Sequence, residues 1–151
     1  MKIYIGTDHR GAEIRSELIL ALNALGYTDI FTSTLPNSSE DDYVDFAIDV
    51  CEKMNVNTDI GILICGNGIG MSIIANKVEG IRCARVVNED DATKAKEHNG
   101  ANVLALGSDL GIAKIVSIVD TFIKTKASEE ERHQRRVNKI INYEEGTYNE
   151  L

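Results

Sequence analysis
Cys65 closes an apolar run, Ile60-Gly61-Ile62-Leu63-Ile64, and opens a glycine-rich turn, Gly66-Asn67-Gly68-Ile69-Gly70-Met71-Ser72. Glycines let backbone N–H groups come close to a ligand, and a helix that starts at the turn adds positive potential. The same potential lowers a thiol pKa. A cysteine beside an anion hole can move a proton while nearby amides hold the charge that develops. Two plainer readings stand beside this one: a tight strand-to-helix turn that binds nothing, and a small buried cysteine like Cys51 and Cys83.

Three other groups carry chemistry-bearing side chains. In Asp8-His9-Arg10, imidazole and guanidinium both offer donors to a phosphate, although a solvated turn explains such a triplet equally. His98, followed by Asn99 and Gly100, suits either a helix C-cap or an acid–base group working near neutral pH. Arg132, His133, Arg135 and Arg136 form the basic cluster of an acidic chain. Glu129, Glu130 and Glu131 could balance it as a solvated helix face. Arg132 and Arg136 share one face, however, and two guanidiniums repel unless an anion joins them. The glycine turn itself fits no nucleotide fingerprint. Met71 stands where the dinucleotide pattern needs its third Gly, and no Gly-Lys-Ser/Thr follows for a P-loop.

These groups need a scaffold, and the order of elements supplies one. Segments at Lys2–Gly6, Asp29–Ser33, Ile60–Ile64, Ile81–Val87 and Val103–Leu106 read as strands. Between them lie helical patterns: Ile14 to Leu25 stopped by Gly26, Val44 to Cys51, residues 89 to 98, and residues 110 to 124. Ile60–Ile64 is unbroken, as in strands buried on both faces of a parallel sheet. A charged helix from Ser128 onward forms a C-terminal extension. The alternation predicts a single-domain α/β fold over 1–151, with a doubly wound (Rossmann-like) parallel five-stranded sheet and helices on both faces. Ligands then bind where strands end. Thr7–Gly11, Cys65–Ser72 and Ser108-Asp109 share that rim, and His98-Asn99 is expected close to the same edge.

Composition narrows the class. The chain has 151 residues, enough for one core, and 43% are hydrophobic, which excludes a disordered chain. A formal net charge of −8 argues against nucleic acid as partner. No apolar run is long enough for a membrane span, and the N-terminus lacks a signal-peptide pattern. The 3 cysteines are widely spaced without a CxxC pair, which predicts reduced thiols in a cytoplasmic protein.

Taken together, several motifs resemble one known family. Cys65-Gly-Asn-Gly-Ile-Gly-Met-Ser72 with Ala75-Asn76-Lys77, the opening Asp8-His9, Asp42-Tyr43, His98-Asn99 with Asn102-Val103-Leu104, and Arg132-His133-x-x-Arg136-Val137 are similar to the aldose–ketose sugar-phosphate isomerases that include ribose-5-phosphate isomerase B. The likeness runs in order through nearly the whole chain. The arginine tail favours the ribose branch over the galactose 6-phosphate branch. The resemblance implies interconversion of ribose 5-phosphate and ribulose 5-phosphate through a cis-enediolate, a step of the non-oxidative pentose phosphate pathway. It implies no metal and no organic cofactor. It also implies a homodimer, often paired into a tetramer, with sites at the interface.

By the same resemblance Cys65 is the base and His98 helps to open the furanose ring. The amides from Gly66 through Asn67, Gly68, Gly70, Met71 and Ser72 hold the enediolate. Asp8 and Asn99 hold sugar hydroxyls, and Tyr43, next to Asp42, lies beside the substrate. His9 binds phosphate, joined by Arg132 and Arg136 from the neighbouring subunit. The chemistry agrees: the base must be strong, and each well-placed amide contributes about 3–4 kcal/mol at such sites.

Three positions depart from the family pattern. Asn67 replaces the usual Thr, Val44 replaces a proline, and Asp109 stands near a customary phosphate-binding arginine. Arg10, where a small residue is common, is expected to supply the missing charge toward phosphate. Alternatives from other classes are a six-carbon substrate such as allose 6-phosphate or galactose 6-phosphate, a non-catalytic phosphosugar-binding module, and a thiol redox protein, which the missing CxxC partner disfavours.

Overall fold
The computed structural model describes residues 1–149. Five strands form one parallel sheet: β1 (Ile3–Thr7), β2 (Ile30–Thr32), β3 (Ile60–Cys65), β4 (Cys83–Arg85) and β5 (Val103–Gly107). Their order is β2-β1-β3-β5-β4. Six α-helices accompany them: α1 (Ala12–Ala24), α2 (Tyr43–Lys53), α3 (Ile69–Ala75), α4 (Glu89–Asn99), α5 (Ile112–Lys124) and α6 (Glu131–Glu144).

Side-chain alternation along the central strands divides the core in two. Ile60, Ile62 and Ile64 of β3, with Leu104 and Leu106 of β5, face a layer that includes Leu18 and Leu22 of α1, Ala92 and Ala95 of α4, and Ile115 and Phe122 of α5. Leu63 and Cys65, with Val103 and Ala105, face Phe46 and Val50 of α2 and Met71 and Ala75 of α3. Both faces of the central strands are therefore covered, which is why β3 reads as a continuous apolar run. Cys65 belongs to the α2–α3 side by this alternation.

The outer strands are shorter than their sequence patterns. β4 spans Cys83–Arg85, whereas the sequence predicts a strand over Ile81–Val87. It is an edge strand with β5 alone beside it, and Ile81 and Val86 turn into the two cores instead. β2, the other edge, keeps three residues, although Asp29 and Ser33 each make one flanking bond to β1. Helix α6 begins at Glu131 instead of Ser128, whose hydroxyl accepts from Glu130 N–H ahead of the first turn. The predicted stop of α1 is in place: Gly26 takes φ +95°, which a side chain would disfavour. Strand order reverses between β1 and β3, because β1 is followed by β2 on one side and by β3 on the other. In a parallel sheet that reversal opens a crevice between the two strand ends.

Candidate active site
The crevice holds a cavity of about 500 Å³ lined by Asp8, His9, Arg10, Asp41, Tyr43, Cys65, Gly66, Asn67, Ile69, Gly70 and Ile73. Cys65 is 5% exposed, and Gly68 N–H donates to its Sγ at 3.3 Å. Burial pushes the Cys51 thiol up to about 12 and raises Cys83 further, so both stay protonated.

Glycines shape the turn by exclusion. Gly68 takes φ +77°, and a Cβ there would stand 3.0 Å from the Leu106 backbone. The turn thus rests directly on β5. A Cβ on Gly70 would collide with the Tyr43 ring, which lies across the start of α3. Four N–H groups at a helix start lack intrahelical partners. Here Cys65 Sγ takes that of Gly68 and Asn67 Oδ1 takes that of Ile69, at 3.0 Å. The first intrahelical bond runs from Ser72 N–H to Gly68 O, which leaves the Gly70 and Met71 amides free. Met71 can contribute only that amide, since its side chain is fully buried in the core. Ser72 points its hydroxyl back to Ile69 O at 2.7 Å and does not line the cavity.

The opposite wall comes from the turn after β1. Asp8 is buried, and its Oδ1 accepts from the Arg10 and Gly11 amides, which fixes the turn. His9 Nδ1 meets Asp41 Oδ1 at 2.6 Å, which turns Nε2 away from the carboxylate. Burial alone would raise the Asp41 carboxyl, but hydrogen bonds from Asn37, His9 and Ser38 outweigh it and bring it down to about 2. An ionised Asp41 makes His9 Nδ1 the donor, so the tautomer is set. Sequence reasoning named Asp42 and overlooked Asp41. The structure has Asp42 exposed at the N-terminus of α2, facing a separate groove with Leu35 and Asp45. Asp8, His9 and Asp41 each bring a metal-ligating atom within 4.8 Å of the others. Asp41 is already engaged by the protein: its oxygens accept from His9 N, His9 Nδ1, Asn37 Nδ2 and Ser38 N.

His98 and Asn99 are elsewhere, which corrects the expectation that they share the Cys65 edge. A crossover helix of a parallel sheet runs back toward the strand starts. Helix α4 does so and ends at Gly100, φ +54°, just before β5. Cys65 instead pairs with Gly107 at the far end of β5. From Val103 to Gly107 the rise alone is roughly 13 Å, at about 3.3 Å per residue. His98 lines a cavity at the strand starts with Arg82, Asn102 and His133. Its ring stacks on His133, with centroids 4.3 Å apart and planes 4° apart. Burial, then His98 and Arg132, push His133 below its ordinary value, against the pull of Glu130. Arg132 donates from Nε to Glu130 at 2.6 Å, and Arg136 is exposed on the same helix. Arg132, Arg136, His98 and Asn99 thus lie toward the strand starts, and Cys65 stands at the strand ends.

Residues 3–140 match the family described as Ribose/Galactose Isomerase. The chain belongs to that family. Its relatives include ribose-5-phosphate isomerase B of Mycolicibacterium paratuberculosis, 36% identical over 146 residues, covering 95% of this chain and 92% of the relative. Among solved structures, ribose-5-phosphate isomerase B of Clostridium thermocellum superposes with a TM-score of 0.88 at 40% identity, covering 97% of this chain and 99% of that one. The Mycoplasma genitalium enzyme with bound ribulose-5-phosphate gives 0.87 at 40% identity, covering 95% and 96%. The five-stranded parallel fold expected for this isomerase family is the one found. Among the described residues no helix is long and apolar enough to cross a membrane.

One further residue of this family member escaped sequence reasoning. Arg85, at the end of β4, donates from Nε to the Asn67 carbonyl at 2.8 Å. It ties the glycine turn to β4 without lining the cavity. Nothing in its local sequence marks it, because the contact crosses the sheet.

Proposed function
We propose that this protein interconverts D-ribose 5-phosphate and D-ribulose 5-phosphate, with Cys65 as the base. The observation that carries the reading is the Cys65 sulfur at the open end of β3, beside two unpaired backbone amides. As a thiolate, Sγ takes the proton from C2 of the open-chain aldose. The electrons of that C–H bond form a C1=C2 double bond, and O1 gains the charge. Return of the proton to C1 leaves the carbonyl at C2, while the hydroxyl proton passes from O2 to O1. No redox partner is required. The free Gly70 and Met71 amides supply the electrostatic stabilisation of the enediolate oxygens. Asp8 and Tyr43 flank the sugar, and His9 Nε2 faces the phosphate.

Ring opening needs an acid–base group, and the one suited to it, His98, lies a strand length from Cys65 in the same chain. We infer that the working site forms between two copies. The Cys65 half-site of one receives His98, Asn99, Arg132 and Arg136 of the other. Arg132 then exchanges its Glu130 partner for the phosphate. A two-fold dimer pairs the halves twice, once at each site.

Incubation of the pure protein with ribose 5-phosphate and, separately, allose 6-phosphate tests the reading by ketose formation. Solvent deuterium should enter C1 of ribulose 5-phosphate. Faster turnover of the six-carbon sugar would reassign the substrate, and binding of both without turnover would leave a phosphosugar-binding module.

A further inference from the structure
We propose that Arg10 contacts the reacting end of the substrate and holds the charge of the enediolate, rather than that of the phosphate. The inference rests on the isomerase reading above. It departs from the sequence-based expectation that Arg10 serves the phosphate in place of an arginine near Asp109.

The geometry carries it. A Cβ placed on Gly66 would sit 2.9 Å from Arg10 Nη1 and 3.4 Å from its Cδ. The guanidinium therefore lies against Gly66, the residue bonded to Cys65, in space that any side chain there would fill. Its neighbour His9 turns the other way, toward Asp41. Two consecutive residues thus serve different walls of one cavity, imidazole on the side of α2 and guanidinium on the glycine turn. Among the described residues no carboxylate lies within ion-pair distance of Arg10. The Asp8 carboxylate is held by the Arg10 and Gly11 backbone amides. The Asp109 carboxylate packs on Gly107, against which the Asn67 Cα also rests. Arg10 is left as an uncompensated cation beside the base.

The anion that fits this place is made by the reaction. A cis-enediolate presents two oxygens in one plane, as a carboxylate does, and a guanidinium fork matches such a pair with two parallel hydrogen bonds. The attraction grows as C2 loses its proton, so it stabilises the transition state more than the bound sugar. A phosphate contact would strengthen both states alike and act on KM.

The test uses full-length Arg10→Ala and Arg10→Lys with ribose 5-phosphate. Arg10→Ala should lower kcat by about 10²-fold, as loss of an oxyanion donor does, with KM within about threefold of the parent. Inhibition by inorganic phosphate should be unchanged. A four-carbon phosphorylated hydroxamate, whose planar anion imitates the enediolate, should bind more weakly by the factor lost in kcat/KM. Arg10→Lys, with charge but no fork, should recover part of kcat. Gly66→Ala displaces the guanidinium while Arg10 stays in the chain. It should lower kcat in the parent and have little further effect in Arg10→Ala. The proposal is overturned if kcat of Arg10→Ala stays within twofold of the parent. It is equally overturned if the loss lies in KM with a matching loss of phosphate inhibition. A parent without isomerase activity, or a Cys65→Ala variant that keeps it, would instead sink the isomerase reading, and this proposal with it.

Discussion

The two ends of the sheet are built from different materials. At the carboxyl end, backbone does the shaping: Gly68 rests on β5, Gly70 makes room for Tyr43, and Asp8 ties down its own turn. At the amino end, side chains on the ends of two helices gather, with His98 stacked on His133 and Arg132 held by Glu130. The first end fixes a sulfur and two amides through the backbone. The second offers exposed arginine arms beside a stacked, largely buried imidazole pair. The difference teaches how labour is divided. Under the proposed function, proton transfer, which needs fixed geometry, falls to the glycine turn, and phosphate capture, which tolerates long arms, falls to the arginines.

The largest expected effect removes the fixed end's chemistry. Cys65→Ala should reduce kcat by about 10³-fold, within the range for loss of a general base, while sugar-phosphate binding persists by calorimetry. A fall of less than tenfold would end the division of labour proposed for the two ends. Mixing Cys65→Ala and His98→Asn copies, each nearly inactive, then asks whether the ends work within one chain or between two. Random reassociation into two-fold dimers should restore about a quarter of parent activity, because half the dimers are mixed and each has one intact site. No recovery would mean that both groups serve a single protomer.

Gly70→Ala probes the backbone end alone. Its methyl runs into the Tyr43 ring and should cost about 1–3 kcal/mol by thermal or urea unfolding. Combining it with Tyr43→Ala should return most of that stability if the clash is the cause. The smallest effect concerns the His9 wall. Asp41 is held low, at about 2 against an ordinary 3.8, so its stabilisation is present above about pH 4 and fades as pH falls toward 2. Asp41→Asn should cost about 1–2 kcal/mol at pH 7 and flatten the acid limb of the stability curve in that window. An unchanged acid limb would mean that the Asp41 hydrogen bonds do not depend on its charge.

Much of this was legible in residue order. Ile60–Ile64 announced a strand covered on both faces, and the glycines around Cys65 announced a turn that approaches something closely. His98 was harder to place. Its neighbours in sequence identify a helix end, but which edge that end reaches depends on the direction of the crossover, and the expectation ran against it. Asp41 and Asp42 are indistinguishable in a polar loop, and only the turn of the chain at Asn37 and Ser38 selects Asp41. Arg85 and Arg10 likewise depend on packing across the sheet: one crosses to Asn67, and the other fills the space above Gly66. Edge strand β4 was over-read because apolar residues mark burial, and Ile81 and Val86 stay buried where the ladder has already stopped.

The protonated state of two thiols has a practical result. With Cys51 and Cys83 held in the protonated form, neither is a good target for an alkylating probe. Cys65, though buried, lines the cavity proposed to take the substrate. One equivalent of a mild electrophile should therefore mark the turn and little else, and its mass shift would count intact sites in a preparation before any substrate is added.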